Sequence, residues 1–417
     1  MDRPPVSVVV VSRERPRALA RCLLGLSQLD YPNFEVIVVA CPAGMAVAEA
    51  SPQAKWLKCA PFDEPNISAA RNVGIDRAAG EIVAFIDDDA VPEPLWLQHL
   101  VGPFTDPDVA AAGGYVIGRN GISFQWTART VDASGEAQDL PLSGDAPAIR
   151  KPEPGLAIKT EGTNMAVRRR VLLELGGFDP GFRFYLDETD LNLRLAKAGH
   201  KTAIVPLARV HHGYAESARR SADRTPRDLT EIGASKMLFL RKHAPDRRRK
   251  AAWKAFRTAQ RLRLLRLLQS GPLGADDVWR LMRGLSRGAR EGATRPTQPL
   301  LPRTESGEPF LPFPGRPGAP HRVLAGRLWQ AATLREAAAA QVQDGATVSL
   351  FLFSRTSRPH RTTFTDAGVW EQRGGLFGRS TRDSRRLQLW RFSTRVKAEI
   401  RRISPVRGAL EDNWPQN

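Results

Sequence analysis

The 417-residue chain is poor in cysteine, with Cys22, Cys41 and Cys59 alone. Their odd number and scattered spacing exclude a disulfide framework and a zinc module. So few thiols suit a reducing compartment, and a cytoplasmic protein is expected. No apolar run approaches the ~20 residues of a membrane span. No apolar stretch near the start reads as a secretory leader. Membrane contact, where it occurs, is therefore expected to be peripheral. Internal repeats are missing. No glycine-rich phosphate loop follows the first apolar segment, where the chain reads "VSRERPR", which argues against a nucleotidyltransferase.

Charge of one sign is abundant. Lys and Arg number 62 against 44 Asp and Glu, a net charge of +18. An anionic partner is implied: nucleotide phosphates, anionic lipid or nucleic acid. No aromatic-studded or zinc module accompanies the charge, so no nucleic acid is expected. Many of these cations will simply face solvent on helices.

The first ninety residues alternate. "VSVVVV" reads as a buried strand, and Pro16 to about Leu29 has helical spacing. "EVIVVA" is a second strand, Ser68 to about Ala79 a helix, and Ile82 to Ile86 a third strand. This order predicts an α/β fold, a mostly parallel sheet with flanking helices. Ligands in such sheets lie beyond the carboxyl ends of the strands. Further along, "NMAVRRRVLLELGGF" predicts a strand and a helix closed by Gly176 and Gly177. Asp187 to Ala198 and Arg227 to His243 predict helices, with "TAIVP" a strand between them.

Lys250 to Leu268 predicts a basic amphipathic helix. Trp253, Phe256, Leu264, Leu267 and Leu268 share its apolar face. Packing of that face on the protein is the commoner fate; an anionic membrane is the other. Residues 292–320 are rich in proline and glycine and read as a linker. Residues 321–417 read as a small α/β unit. The expected division is thus 1–245, 246–291, 292–320 and 321–417.

Three constellations can carry chemistry. Asp87, Asp88 and Asp89 end the third strand. A solvated turn explains them in part, but adjacent carboxylates also suit Mn²⁺ or Mg²⁺ shared with a phosphate. Arg71, on the preceding helix, can meet a diphosphate or a carboxylate. Asp187, Glu188 and Asp190 open a later helix, where acids complement the macrodipole. One of them is a candidate general base. His211 and His212 follow a strand and offer a metal ligand.

These segments, with "YPNFEVIVV", "ISAARNVGI", "GTNMAVRRRVLLELGGFD" and "LDETDLNLRLAKAG", come in an order that resembles the family 2 glycosyltransferases. The resemblance covers residues 1 to about 245. It implies the GT-A fold, and transfer of a sugar from a nucleotide-diphosphate donor with inversion. It implies a glycan or lipid-linked acceptor and a place in cell-surface polysaccharide or glycolipid synthesis. Asp89 then reaches the divalent ion, with Asp87 and Asp88 near ribose and donor. Glu188 takes the base position beside Asp187, and His211 or His212 the trailing histidine. Ser12 and Arg13 fall on the loop that contacts the base. The chain departs from the family at Ala40, where an acid usually reads the nucleotide base; Glu14 or Asp63 is the expected substitute. The acid pair is also reversed. A fold that binds nucleotide sugar without catalysis is the alternative.

Overall fold

A computed structural model describes residues 3–213, 216–305 and 307–409. The chain opens with β1 (Val6–Ser12), α1 (Pro16–Leu26), β2 (Phe34–Ala40), α2 (Pro42–Ala50), β3 (Leu57–Pro61), α3 (Ile67–Arg77) and β4 (Ile82–Asp87). Then follow β5 (Ala90–Pro92), α4 (Trp96–Val101), β6 (Val109–Ile117), β7 (Phe124–Trp126), β8 (Arg129–Asp132), β9 (Ala137–Asp139), β10 (Ala148–Arg150), β11 (Leu156–Ile158) and β12 (Met165–Arg168). After these come α5 (Arg169–Glu174), α6 (Asp187–Lys197), β13 (Lys201–His212), α7 (Thr230–His243), α8 (Asp246–Gln269) and α9 (Ala275–Gly292).

The main sheet runs β10-β13-β6-β12-β4-β1-β2-β3, with β5 on β13 and β7 on β6. All its long strands point one way; the reversed strands, such as β12, are short. This is the mostly parallel α/β architecture that the alternation predicts. Val8, Val10, Val36 and Val38 pack on one face with Leu19, Leu23 and Leu26 of α1. Val9, Ile37, Val83 and Phe85 fill the other with Ile75 of α3 and Leu191 and Leu195 of α6. Fully buried strands of this kind read as continuous apolar runs because both faces are covered.

The basic helix is longer than its sequence pattern, running as α8 over Asp246–Gln269. Phe256 and Leu264 are buried against Leu229, Leu281 and Leu285, so its apolar face packs on α7 and α9. Helices α7 and α9 approach closely. A Cβ at Gly288 would fall 1.8 Å from the Thr230 carbonyl oxygen, so only glycine fits. Among the described residues no helix is long and apolar enough to cross a membrane.

Between α9 and residue 321 the described chain forms neither helix nor strand, yet it is docked. The Phe313 amide donates to the Phe34 carbonyl, and Leu311 N donates to buried Glu35. The last unit holds β14 (His321–Arg327), α10 (Ala331–Gln343), β15 (Thr347–Ser354), β16 (Arg361–Phe364), β17 (Val369–Gly375) and α11 (Phe392–Arg407). Its sheet order is β14-β15-β17-β16, parallel except for β16. It rests on the first unit through Val91, Phe364 and Trp370. The Arg407 guanidinium also donates to both oxygens of Glu93, at 2.7 and 2.9 Å.

Candidate active site

Parallel pairing brings the strand ends together. Ser12 lies opposite Ala40, and Val11 opposite Asp87, at one carboxyl edge. After Asp88 and Asp89 the chain pairs antiparallel with β13, which sets His212 opposite Ala90 and His211 opposite Val91. Successive strand side chains point to opposite faces. The two histidines therefore part. His212 Nε2 lies 3.1 Å from Asp89 Oδ1 and 4.0 Å from Asp87 Oδ2. His211 Nε2 turns away to Glu93, at 2.7 Å, and its ring packs on Trp370.

Asp87, Asp89 and His212 each offer a ligand atom, all within 4.8 Å of one another. His212 Nδ1 lies 3.0 Å from Gln125 Oε1, a carbonyl acceptor. With Nδ1 carrying the hydrogen, Nε2 presents a lone pair toward a carboxylate. Such a pair of acceptors needs a proton or a cation between them, and an outer-shell partner on the other nitrogen is what ligating histidines have. The donor set fits a divalent cation.

Asp88 is fully buried and takes a different part. Ser12 Oγ donates to its Oδ2 at 2.7 Å, and Arg15 lies 2.8 Å from its Oδ1. Burial, and then the neighbouring carboxylates Asp89 and Asp87, push its pKa up to about 7 against the pull of Arg15 and Ser12. Arg15 also reaches Asp89, at 3.1 Å. Arg15 stands in a basic run, "SRERPR", and nothing in the sequence separates it from its neighbours.

Arg71 meets carboxylates. It is buried, pairs with Asp187, and reaches Asp87 at 3.3 Å. It thus ties the first acid cluster to the second. Tyr185 and Leu186 precede α6 with φ of 74° and 65°, a left-handed pair that non-glycine residues adopt at a cost. That bend sets Asp187 and Glu188 at the helix start. Glu188 Oε1 lies 2.9 Å from Lys159 Nζ. Burial would raise its pKa; the Lys159 ammonium and then Arg71 outweigh burial and hold it below the usual carboxylate range. Asp187 moves the other way, to about 7, because burial outweighs Arg71 and the Glu188 charge adds to it. Asp190 braces α6 against α7 through Lys242 and His243, and pairs with Arg194 on its own helix, each at 2.8 Å. Lys159 lies in a stretch with no clear periodicity, which hides it from sequence reading.

A cleft of about 410 Å³ opens over this edge. Ser12, Arg13, Glu14 and Asp87 line it, together with Phe62, Ile67, Arg183, Arg219 and Arg220. Glu14 has a φ of 59°, and its amide meets Cys41 Sγ at 3.2 Å. Asp63 is held by Arg13 at 3.2 Å. A hollow of about 590 Å³ lies elsewhere, lined by Arg168 and Lys201, and holds neither acid cluster.

The fold and this edge define an α/β protein with a cation-type acid cluster beside a polar cleft. Residues 4–229 match the family described as "Glycosyltransferase like family 2", over half the chain. The protein belongs to glycosyltransferase family 2. It is 31% identical over 244 residues to the O-antigen biosynthesis protein RfbC of Myxococcus xanthus, covering 54% of this chain and 18% of that protein. It is 33% identical over 114 residues to the glucosyl-dolichyl phosphate glucuronosyltransferase of Haloferax volcanii, covering 27% of this chain and 34% of that one. The chain thus spans a minor part of both relatives. A solved mannosyltransferase from Pyrobaculum calidifontis, in complex with GDP-Man and Mn²⁺, is similar at 18% identity. It covers 70% of this chain and 88% of its own, with a TM-score of 0.42.

Proposed function

We propose that the protein is an inverting glycosyltransferase. It moves a sugar from a nucleotide-diphosphate donor to a hydroxyl of a glycan or lipid-linked acceptor, in cell-surface polysaccharide or glycolipid synthesis. The observation that carries this reading is the convergence of Asp87, Asp89 and His212, with Asp87 also lining a cleft rich in arginine. Those three residues would hold Mn²⁺ or Mg²⁺, and the imidazole nitrogen favours Mn²⁺. When bound, such an ion supplies Lewis-acid stabilisation of the diphosphate leaving group.

The chain's own groups do the rest. Arg183, Arg219 and Arg220 face the charge released on the diphosphate. Phe62 and Ile67 offer an apolar wall for the nucleotide base, with Ser12 and Arg13 at its edge. Glu188 takes the proton of the acceptor hydroxyl as its oxygen bonds the anomeric carbon and the bond to diphosphate breaks. It is the more exposed of the acid pair, at 15% against 5% for Asp187. Lys159 keeps it ionised at neutral pH. Asp187 anchors Arg71. Asp88 acts from beneath, holding the Ser12 loop.

In this reading the protein is cytoplasmic, with peripheral contact at the inner face of the membrane as the finer proposal. Helix α8 carries one acid, Asp246, among a run of Arg and Lys. Leu262 and Leu265 on α8 and Trp279 on α9 are exposed, and this basic, partly apolar surface suits anionic lipid. The test is a screen of nucleotide-diphosphate sugars with Mn²⁺, read as donor turnover and as Tm. A metal-dependent rise in Tm with one donor supports the reading; no response to any donor with either metal overturns it.

A further inference from the structure

The second sheet has its own carboxyl edge, and the transferase reading does not use it. Strands β14, β15 and β17 run parallel and end at Arg327, Ser354 and Gly375. Open α/β sheets take ligands at that edge. A cavity of about 560 Å³ lies there, lined from all three strand ends by Leu328, Ser354 and Gly374 among others. Arg358, Arg361 and Arg373 also line it, and no carboxylate does. Among the described residues Arg373 pairs with Glu371, at 3.7 Å, and Arg335 already holds both oxygens of that carboxylate.

Arg327 ends β14 at the same edge but does not line the cavity; its guanidinium lies over the Phe392 ring, 4.6 Å from the centre, and its Nη1 makes no hydrogen bond among the described residues. Burial and then the charge of Arg355 push the Arg327 guanidinium below its ordinary pKa.

The loop that carries Arg355 and Arg358 is built in place. The Gly375 amide donates to the Arg358 carbonyl at 2.9 Å, and the Phe377 amide to the Thr356 carbonyl at 3.1 Å. A Cβ at Gly375 would lie 2.1 Å from the Thr356 oxygen, and one at Gly378 1.9 Å from the Arg358 oxygen. The glycines let the two segments touch. Below, His360 is buried and bonds Gly375 O at 2.8 Å and Gln372 Nε2 at 2.7 Å. Holding the loop this way lowers the ordering cost of binding.

We propose that this edge is an anion site for a phosphate or diphosphate group carried on a small organic body. Guanidinium forks match phosphate oxygens in pairs, and the hydroxyls of Ser354 and Thr356 can add donors. Leu328 and Pro359 give the organic part an apolar wall. The proposal stands apart from the transferase reading.

The test uses the full chain in EDTA, with inorganic pyrophosphate titrated by calorimetry. Wild type should show a binding event that R358Q/R361Q weakens by about a hundredfold, on the order of tenfold for each charge-assisted contact. The pair R385Q/R386Q, outside the cavity, should leave it unchanged, and Tm should stay near wild type in both. Equal weakening by the two double variants would reduce the site to general charge and overturn it. Unchanged binding in R358Q/R361Q would also overturn it, as would no pyrophosphate binding in wild type. Phosphatidic acid vesicles separate the sources: flotation lost in R358Q/R361Q but not in R385Q/R386Q assigns a lipid headgroup. Pyrophosphate binding without such flotation assigns a soluble ester.

Discussion

The contact between Arg407 and Glu93 permits a quantitative test of how the two units depend on each other. Both side chains are nearly fully buried, at 2% and 3%. Arg407 Nε and Nη2 reach both oxygens of Glu93, its Nη1 donates to Ser349 Oγ at 2.9 Å, and its guanidinium lies 4.4 Å from the Trp370 ring centre. Arg407→Met keeps the length and removes the charge. Glu93 is then left as a buried carboxylate with His211 alone. Breaking a buried pair from one side costs about 3–5 kcal/mol. In the wild type, burial would raise the Glu93 pKa, but Arg407 and His211 outweigh it and hold the group well below the carboxylate range.

The sign follows from linkage. A depressed folded-state pKa gives stability that is present above the unfolded value, about 4.3, and is lost as pH falls through the folded value. In Arg407→Met, burial acts with less opposition and the folded pKa rises. The variant then takes up a proton on folding, so its deficit should be largest near pH 7 and shrink toward pH 4. Urea unfolding at both pH values measures it. Adding Glu93→Gln should recover much of the loss, because no uncompensated charge remains. A loss under about 1 kcal/mol at pH 7, set against the buried-pair figure, would refute the reasoning. So would a pH-independent loss, or a double variant no better than the single.

Asp89→Asn and His212→Ala should each abolish Mn²⁺ binding, read by electron paramagnetic resonance titration, with the fold intact by circular dichroism. His211→Ala should bind Mn²⁺ as wild type does and lose stability instead, since it touches Glu93 and Trp370. Glu188→Gln should lose on the order of a hundredfold in turnover with donor affinity little changed; if Asp187→Asn is dead and Glu188→Gln active, the base is the other residue. Lys159→Met should move the acid limb of the pH–rate profile to higher pH, because Lys159 is the main group holding Glu188 below its ordinary pKa. Flotation with anionic liposomes should be lost in high salt and in a variant with the exposed α8 cations neutralised; binding indifferent to both would remove the membrane surface.

The sheet was readable because its strands are buried on both faces. Val8–Val11, Val36–Ala40 and Ile82–Ile86 are apolar without interruption inside them. Strand β3, with Lys58 inside it, and helix α2, built of small residues, carry too little periodicity to be seen. Of the site, the acids were visible because three in a row at a strand end are unusual. The cations that answer them were not, since an arginine-rich chain offers too many equals to Arg15 and Arg220. The division at 245, 291 and 320 is likewise composition read as boundary, and we keep it as a proposal. Proline content marks 292–320 as irregular, but says nothing of the Phe34 and Glu35 contacts that fix it.

His211 and His212 show where sequence stops and structure begins. Spacing could not choose between them, because both end the same strand at the same edge. The choice is made by register: β5 is three residues long, and its pairing sets His212 opposite Ala90, next to Asp89. A slip of one residue would exchange the two faces. His211 would then meet the acids, and His212 would meet Glu93. In the observed register Glu93 meets His211, whose ring also packs on Trp370. Arg407 holds that carboxylate from the far end of the chain. The C-terminal unit thus meets this end of β13 at Glu93 and His211, while the neighbouring His212 faces the acids.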